Sequence, residues 1–369
     1  MARPTLAVIG GGIAGISLAA RAAADFDVTV LEAESQPGYH STGRSAAVSI
    51  ECYENEVVRE LTLPGLDWQM DCGARRIGCV TLADADHLPM LDAFMRRWQP
   101  MCRSLEEISY EELIRWVPIV RPEAAVRVVV ERDALALDPH ALLESFRRLL
   151  QSQSGRIVGN ARVTSLERSR GRWQLAWSGG MLEADIVVNS AGAWADQIAR
   201  LAGVPALGLQ PKRRTAVLLD TGLDVSGWPL VHRAQEGLYF KPEGGLLMVS
   251  PADAIPCEPC DAQPEEMDIA IAVDHFQATT TVEVKRLSRT WAGLRSFLPD
   301  EVPAVGYSDA AENFFWLAGQ GGFGLQTAPG LSSLAATLLR GGDHALAPLL
   351  SPGRFSAQLP RASKTVQPG

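Results

Sequence analysis

At 369 residues the chain is too long for one ordinary hydrophobic core, so the sequence predicts two domains. A hydrophobic fraction of 47% fits a well-buried globular enzyme, and the net charge of -9 argues against nucleic acid as a partner. No apolar run is long enough to span a membrane, and the N-terminus enters a strand without space for a signal peptide. We therefore expect no integral membrane segment and a cytoplasmic location.

The chain opens on a strand, a glycine-rich turn, a helix and a second strand that ends at an acid. Gly10 would make the tight turn, Gly12 would let the backbone approach a pyrophosphate, and Gly15 would let the helix and strand pack closely. The start of the helix would face the phosphates. Glu32 stands where a carboxylate accepts hydrogen bonds from ribose hydroxyls, which also argues against NADP. This framed G-x-G-x-x-G motif predicts an adenine-dinucleotide site.

The pattern predicts further elements in the first half of the chain. Residues 33–47 form a loop rich in Ser, Gly and Pro, and helical spacing follows around Leu61 to Met70 with a break at Pro64. Proline directly after Asp138 is typical of a helix start. The predicted strands cover 76–82 and 126–131, and the predicted helices cover 88–98, 105–116 and 139–150.

The second half alternates between strands and glycine-containing turns. Strands are predicted over 163–166, 173–177 and 185–188, and the last is apolar enough to return to a buried parallel sheet. Residues 208–290 alternate as strands, with 279–284 left open between helix and strand. A last apolar strand over 314–318 leads into the glycine-rich loop 319–324 and a helix over 331–339. These elements predict a discontinuous nucleotide-binding domain (1–75, 130–205 and 296–369) and a sheet-rich substrate domain (76–129 and 206–295).

Several motifs together resemble the FAD-dependent D-amino-acid oxidase superfamily, which includes glycine oxidase, sarcosine oxidase and the D-amino-acid dehydrogenases. They are the opening fingerprint, the loop 38–47, the turn 189–194, the segment 291–297 and the loop 319–324. Segments 208–214 and 239–242 make the pattern most similar to bacterial D-arginine dehydrogenase. The likeness covers residues 5 to 340, roughly. It implies an α/β fold with a Rossmann-like, discontinuous FAD-binding domain and a second domain built on a mixed or antiparallel sheet.

The resemblance implies FAD rather than NAD, bound non-covalently because no cysteine follows Cys260. In this family the loop 319–324 lies beside the flavin ring, where its N–H groups and the following helix would stabilise negative charge. Cofactor contacts are expected at Gly10, Gly12, Ile13, Ala14, Gly15, Glu32, His40, Ser41, Thr42, Gly43, Arg44, Ser45, Ala46, Ala47, Val163, Ala191, Gly192, Trp194, Arg295, Gly321, Gly322, Phe323, Gly324, Gln326 and Thr327.

The implied reaction oxidises the Cα–N bond of an amino acid by hydride transfer to flavin N5, giving an imine that hydrolyses, with O2 or a quinone as the electron acceptor. The protein must mainly hold Cα against the ring, and no catalytic acid or base is assigned. Arg295 is expected to bind the substrate carboxylate, since a guanidinium binds a carboxylate through two hydrogen bonds; the alternative is a structural ion pair with an acid such as Asp300. Tyr239 and Tyr53 match family tyrosines that contact the substrate.

The substrate pocket departs from the D-arginine dehydrogenase pattern. That enzyme has a histidine and, two residues later, a threonine where this chain has Val48 and Ile50, and its substrate-pairing glutamate has no counterpart in strand 76–82. A more apolar pocket argues against D-arginine. Two substrate classes stay open: an apolar D-amino acid, or an N-substituted glycine whose oxidative dealkylation releases glyoxylate and a free amine. In the second class Arg213 or Arg214 would hold another carboxylate, unless they form a solvated basic patch.

Two other classes of protein are disfavoured. An NAD-linked dehydrogenase would not need the loop 319–324, and a flavoprotein that only binds partners would not need the carboxylate-binding arginine and tyrosine.

Among the histidines, His40 is expected to be structural and His232 to lie at the surface. Cys257 and Cys260 form a C-x-x-C, either a redox pair or half of a zinc site; free thiols are favoured because no second pair exists.

Overall fold

The computed structural model describes residues 3–53 and 55–358. The opening glycine motif lies in a six-stranded sheet. The strands are parallel apart from one antiparallel pair at an edge. In order across the sheet they are Ala304–Tyr307, Phe314–Ala318, Ile186–Asn189, Thr5–Ile9, Asp27–Leu31 and Arg156–Val158. The carboxyl ends of the parallel strands share one edge, where ligands bind in sheets of this kind.

Both faces of the six-stranded sheet are covered, because alternate residues of each apolar strand point to opposite sides. On one side, Leu6 and Val8 pack in a core with the helices Ile13–Ala22, Pro139–Ser152 and Gly324–Leu339. On the other side, Ala7 and Ile9 pack against a three-stranded antiparallel sheet and the helix Ala195–Leu201. The strands of that small sheet are Val163–Ser169, Arg172–Trp177 and Gly180–Ala184. This layered arrangement is Rossmann-like.

The second large sheet of the molecule has nine strands. Its pairings are antiparallel except for the parallel pair formed by Leu230–Arg233 and Cys79–Ala83. Leu287–Phe297 pairs with Gln210–Leu219, which also pairs with Ile255–Pro256 and Leu246–Ser250; the order then continues through Tyr239–Glu243, Leu230–Arg233, Cys79–Ala83, Arg127–Glu131 and Leu105–Ile108. The helices Glu266–Thr279 and Tyr110–Trp116 cover one face of this sheet, so the opposite face is left to line a site.

The remaining elements are short. Val48–Ser49, Leu135–Ala136 and Arg75–Arg76 form a small sheet. The other helices are Glu56–Thr62, Leu66–Asp71, Leu88–Trp98 and Ala347–Leu350, and 3-10 turns cover Ser41–Arg44, Leu63–Gly65, Ala85–His87, Pro122–Ala124, Gly192–Trp194 and Pro352–Gln358. Among the described residues, no helix combines the length and the apolar character needed to cross a membrane.

Several predicted elements are confirmed. The opening β-α-β unit, the helix 88–98 and the strand 314–318 lie where the pattern placed them, and 186–189 returns to the parallel sheet beside Thr5–Ile9. The break at Pro64 separates two short helices. The predicted turn at Arg170 and Gly171 is a hairpin in which both residues have a positive φ, 52° and 83°.

Four predictions are wrong in part. The predicted helix 105–116 is a strand and then a helix, because Ser109 caps a new helix by accepting the Glu112 N–H at 3.2 Å. The predicted strand 76–82 is divided at Gly78, whose φ of 73° breaks the extended backbone. The segment 208–290 contains the helix Glu266–Thr279, and the last helix begins at Gly324 rather than 331.

The division into domains remains a prediction. The six-stranded sheet draws on 5–31, 156–189 and 304–318, and the nine-stranded sheet draws on 79–131 and 210–297. The predicted ranges also include residues 1–2, 54 and 359–369, which lie outside the described part of the chain.

Candidate active site

A cavity of about 810 Å³ runs from the carboxyl edge of the six-stranded sheet to the free face of the nine-stranded sheet. It brings most of the predicted site residues together. From the prediction, its wall contains Gly10, Gly12, Ile13, Ala14, Glu32, His40, Ser41, Thr42, Arg44, Ser45, Ala46, Ala47, Val48, Ile50, Tyr53, Val163, Ala191, Gly192, Trp194, Arg214, Tyr239, Arg295, Gly321, Gly322, Gly324 and Gln326. Gly15, Gly43, Phe323 and Thr327 are not part of this wall.

The glycines at the first end of the cavity are required by close backbone contacts. Gly10 has a φ of 108°, and a Cβ there would lie 2.4 Å from the Ser190 carbonyl oxygen. A Cβ on Gly15 would lie 2.0 Å from the Gly10 oxygen, so this glycine permits the helix to pack on the strand. Gly12 is different, because a Cβ there would meet only Thr42 Oγ1, at 3.4 Å, and would project towards the cavity. The backbone at Gly12 is therefore open to a ligand.

Two polar side chains organise the turn around that backbone. Glu32 is 8% exposed, and its carboxylate accepts the Gly11 N–H at 2.7 Å and the Glu34 N–H at 2.8 Å. Thr42 Oγ1 accepts the Ile13 N–H at 3.0 Å. Thr42 thus caps the first N–H of the helix, and the start of the helix lies in the cavity wall, where the helix dipole suits an anionic phosphate.

The loop after Glu32 connects the two large sheets. Ser41 Oγ donates to the Leu294 carbonyl at 2.7 Å, and Arg44 donates to the carbonyls of Ala262 and Ala292. His40 contacts Glu34 Oε1 at 3.1 Å and stacks obliquely on Trp194. These contacts with fixed neighbours agree with a structural role for His40.

At the other end of the cavity, Arg295 lies under the glycine-rich loop. Its Nη2 donates to the hydroxyl of Tyr53 at 2.7 Å, and its guanidinium lies 5.0 Å from the centre of the Phe297 ring. A Cβ on Gly322 would lie 2.1 Å from Arg295 Nε, so any larger residue here would require the guanidinium to move. The alternative pairing of Arg295 with Asp300 is wrong, because Asp300 pairs with Arg354.

Residues behind the wall hold this end in place. Phe323 packs edge-on against both Tyr53 and Phe297, and Thr327 Oγ1 donates to the Phe323 carbonyl at 2.9 Å. Gln326 exchanges hydrogen bonds with the backbone of Ile50, which fixes the segment that precedes Tyr53.

Glu131 fixes the same segment from the nine-stranded sheet. It is 4% exposed, and its two carboxylate oxygens accept the Glu51 N–H at 2.7 Å and the Cys52 N–H at 2.9 Å. Burial raises the pKa of Glu131. The thiols of Cys52 and Cys102 lie within 4.8 Å of this carboxylate. Sequence reasoning missed Glu131, because it appears only as the last residue of an apolar strand.

Arg213 and Arg214, neighbours in the strand Gln210–Leu219, have different surroundings. Arg213 pairs with Glu265 and Asp268 and is absent from the cavity wall, so its proposed role in holding a second carboxylate is wrong. Arg214 lines the cavity; its Nε donates to the Asp253 carbonyl, and its guanidinium lies 5.8 Å from the Tyr239 ring centre. Consecutive residues of a strand point to opposite faces, which explains the difference.

His232 also departs from its prediction. It lies in the cavity wall rather than at the outer surface, and its Nε2 is 2.8 Å from Thr81 Oγ1. Burial lowers its pKa to about 4. The sequence offered no signal for Thr81, whereas the alternation of Leu230 and His232 beside buried Val231 would have placed His232 on the face of Leu230.

The C-x-x-C pair lies outside the cavity wall. Cys257 and Cys260 are free thiols, the first half-buried and the second exposed. Within the described part of the chain, the group of residues spaced to hold a metal ion is Cys52, Cys102 and Glu131, and it does not include this pair.

Comparisons with known proteins identify the family of the chain and agree with its fold. The family model "FAD dependent oxidoreductase" matches residues 5–338, so the chain belongs to that family. FAD-dependent oxidoreductase domain-containing protein 1 of Bos taurus is 25% identical over 96% of this chain and 84% of its own length. L-proline dehydrogenase from P. horikoshii superposes with a TM-score of 0.85 at 20% identity, covering 97% of this chain and 99% of that chain. Glycine oxidase from Geobacillus kaustophilus gives 0.84 at 18%, covering 96% and 99%.

The protein is therefore an FAD-dependent oxidoreductase. The residues present fit FAD. The open backbone at Gly12 and the start of the following helix, which lies in the cavity wall, suit the pyrophosphate. Gln320 Nε2, in the wall beside the second glycine loop, is buried and meets no hydrogen-bond partner among the described residues, so it is available to a bound group.

Proposed function

We propose that the enzyme oxidises the Cα–N bond of a D-amino acid whose side chain is uncharged and largely apolar. One observation supports this proposal above the others. The Arg295 guanidinium, which donates a hydrogen bond to the Tyr53 hydroxyl, lines the same cavity as a group of apolar side chains. Arg295 and Tyr53 suit a carboxylate. The apolar wall that suits the side chain is made by Val48, Ile50, Leu230, Leu238 and Met248.

Arg214 supports the position of the carboxylate. In the strand register Arg214 is opposite Gly293, two residues from Arg295, so the two guanidinium groups lie on the same face of the sheet. Arg214 also lies 3.9 Å from the carboxylate of Asp253, which offsets part of its charge. The side of the cavity that holds both guanidinium groups still favours an anion over a cationic substrate. In the described wall the acidic residues are Glu32, at the nucleotide end, and Glu236, on an exposed turn.

Bound FAD supplies the two-electron acceptor for the hydride that leaves Cα. The chain's own residues perform binding and orientation: Arg295 holds the carboxylate, Tyr53 fixes the arginine, and Gly322 keeps the loop close. Burial between the two sheets excludes water and strengthens these polar contacts.

An N-substituted glycine is the second candidate, because the cavity continues beyond the apolar wall. It reaches the helix Leu88–Trp98, where Met90, Phe94 and Trp98 line it. A long apolar N-substituent would occupy this extension while the glycine carboxylate stays at Arg295. Oxidation would then release glyoxylate and a free amine.

The test is anaerobic mixing of the purified enzyme with substrates while the visible flavin absorbance is followed. The panel contains apolar D-amino acids, their L enantiomers, D-arginine, glycine, sarcosine and long-chain N-carboxymethyl amines. Bleaching by apolar D-amino acids is the expected result. Bleaching only by N-substituted glycines, with glyoxylate released, would support the second candidate, and reduction by D-arginine or L-amino acids alone would contradict both. Reoxidation by O2 or by a soluble quinone then identifies the acceptor.

A further inference from the structure

We propose that the His232–Thr81 pair makes the enzyme select substrates whose side chain or N-substituent carries one neutral hydrogen-bonding group, such as a hydroxyl or an amide. This inference rests on the proposed function and refines its substrate class. Both residues line the cavity, and a hydrogen bond of 2.8 Å joins His232 Nε2 to Thr81 Oγ1. They are directly opposite each other on the parallel strands Leu230–Arg233 and Cys79–Ala83.

Apolar side chains flank the pair on one side, and Tyr239 is directly opposite His232 on the neighbouring strand. Leu230 precedes His232 on the same face of its strand, and Ile50, Leu238 and Met248 complete this part of the wall. The hydrogen bond between the two side chains uses only part of the capacity of the Thr81 hydroxyl, which can accept a second bond or, when His232 Nε2 is the donor, donate one. A ligand group that uses this remaining capacity is favoured over one that covers the hydroxyl with carbon.

The imidazole is suited to a neutral partner. Because burial lowers its pKa to about 4, His232 is neutral near pH 7 and has one N–H and one acceptor nitrogen. The Thr81 hydroxyl can either donate or accept. Together they can complement a hydroxyl or an amide, and they offer no charge to a guanidinium, an ammonium or a carboxylate.

The pair also lies at a useful distance from the carboxylate site. The strand of Arg295 and the strand of His232 are four strand spacings apart in the nine-stranded sheet, which is roughly 19 Å along a flat sheet. Both side chains project into the cavity and shorten this gap. A substrate anchored at Arg295 therefore needs an extended side chain or N-substituent to reach the imidazole.

The experiment compares matched compounds that differ by one hydroxyl. The pairs are D-tyrosine and D-phenylalanine, and N-(6-hydroxyhexyl)glycine and N-heptylglycine. We expect the wild type to prefer the hydroxylated member by about tenfold or more in kcat/KM, and His232→Leu to lose this preference. His232→Gln, which keeps a hydrogen-bonding group, should restore part of it, and Thr81→Val should weaken it. A wild type without the preference, or a His232→Leu variant that keeps it, would overturn the inference.

A binding measurement separates this inference from the proposed function. The non-oxidisable acids 3-phenylpropanoate and 3-(4-hydroxyphenyl)propanoate lack the amine, and their binding can be followed by the shift of the flavin spectrum. Tighter binding of the phenol by the wild type, and equal binding by His232→Leu, supports the inference even if no amino acid in the panel is oxidised. Equal binding of both acids by the wild type contradicts it even if oxidation occurs.

Discussion

The two ends of the cavity are built in different ways. At the nucleotide end, one continuous β-α-β unit supplies the glycine turn, the helix start and the acid Glu32. At the substrate end, Tyr53, Thr81, His232 and Arg295 come from segments far apart in sequence, and the nine-stranded sheet brings three of them to one face. The first end holds a group through backbone geometry that tolerates no side chain. The second end selects a group through side chains, so it can change its specificity without changing the fold.

Replacing the carboxylate anchor should give the largest effect and should affect only the substrate end. Arg295→Leu removes two charge-assisted hydrogen bonds to the carboxylate, so kcat/KM should fall about a thousandfold, or about 4 kcal/mol, as measured by steady-state kinetics. Arg289→Leu is the matched control, because Arg289 is on the same strand but exposed. A fall of less than tenfold in Arg295→Leu would remove the carboxylate role.

The buried histidine should affect stability in acid. Because its pKa is lowered from 6.5 to about 4 in the folded state, the unfolded chain takes up the proton first as the pH falls. Between pH 7 and pH 4, this linkage lowers the free energy of unfolding by about 3 kcal/mol. Denaturant titrations at both pH values should show that His232→Leu loses less stability than the wild type by this amount. His344→Leu, at an exposed histidine, should behave like the wild type; equal acid losses in wild type and His232→Leu would contradict the burial.

Even a methyl group in the glycine-rich loop 319–324 should lower kcat/KM. Gly322→Ala places a Cβ 2.1 Å from Arg295 Nε, so the guanidinium must shift. Displacement by about 1 Å should lower kcat/KM about a hundredfold in steady-state assays. Gly227→Ala, where nothing lies within 4 Å of the added Cβ, should leave kcat/KM unchanged. Normal kinetics in Gly322→Ala would show that Arg295 is not confined by this loop.

A smaller effect should come from the residue that positions the tyrosine segment. Glu131→Gln replaces one acceptor oxygen by a donor, so either Glu51 or Cys52 loses the partner of its N–H. The free energy of unfolding should fall by about 1–3 kcal/mol, and kcat/KM should fall about tenfold with KM carrying most of the change. Glu123→Gln, at an exposed acid, serves as the control. Unchanged KM in Glu131→Gln would contradict its positioning role.

The fold could be predicted where the pattern is local. The strand 314–318 and the helix 88–98 have one dominant period and clear limits, so both were predicted with their observed bounds. The helix Glu266–Thr279 was mistaken for strand because it is rich in Ile and Val, although its buried residues Asp268, Ala272 and Phe276 follow helical spacing. Its inward face is set by packing on the nine-stranded sheet, which no local pattern reveals.

The site shows the same limit. Gly10, Gly15, Gly319 and Gly321 could be found from sequence because a positive φ or a close backbone contact favours glycine at these positions. Gly12 was found from its place in the motif. His232 was placed at the surface because a lone histidine in a strand gives no indication of which face is solvated. Thr81 and Glu131 were missed because they contact residues that are 151 and 80 positions away in sequence.

The most direct test asks whether the two ends fail independently. Gly12→Val adds a side chain to the cavity wall at a position where a Cβ has only Thr42 Oγ1 within 4 Å. We therefore expect the variant to fold, and the added side chain to exclude FAD. The flavin-to-protein absorbance ratio and anaerobic bleaching should be measured on the same samples of Gly12→Val and Arg295→Leu. We predict that Gly12→Val is folded but colourless, and that Arg295→Leu is yellow but is not bleached by the substrate. A yellow Gly12→Val, or an Arg295→Leu that the substrate reduces at the wild-type rate, would contradict the account.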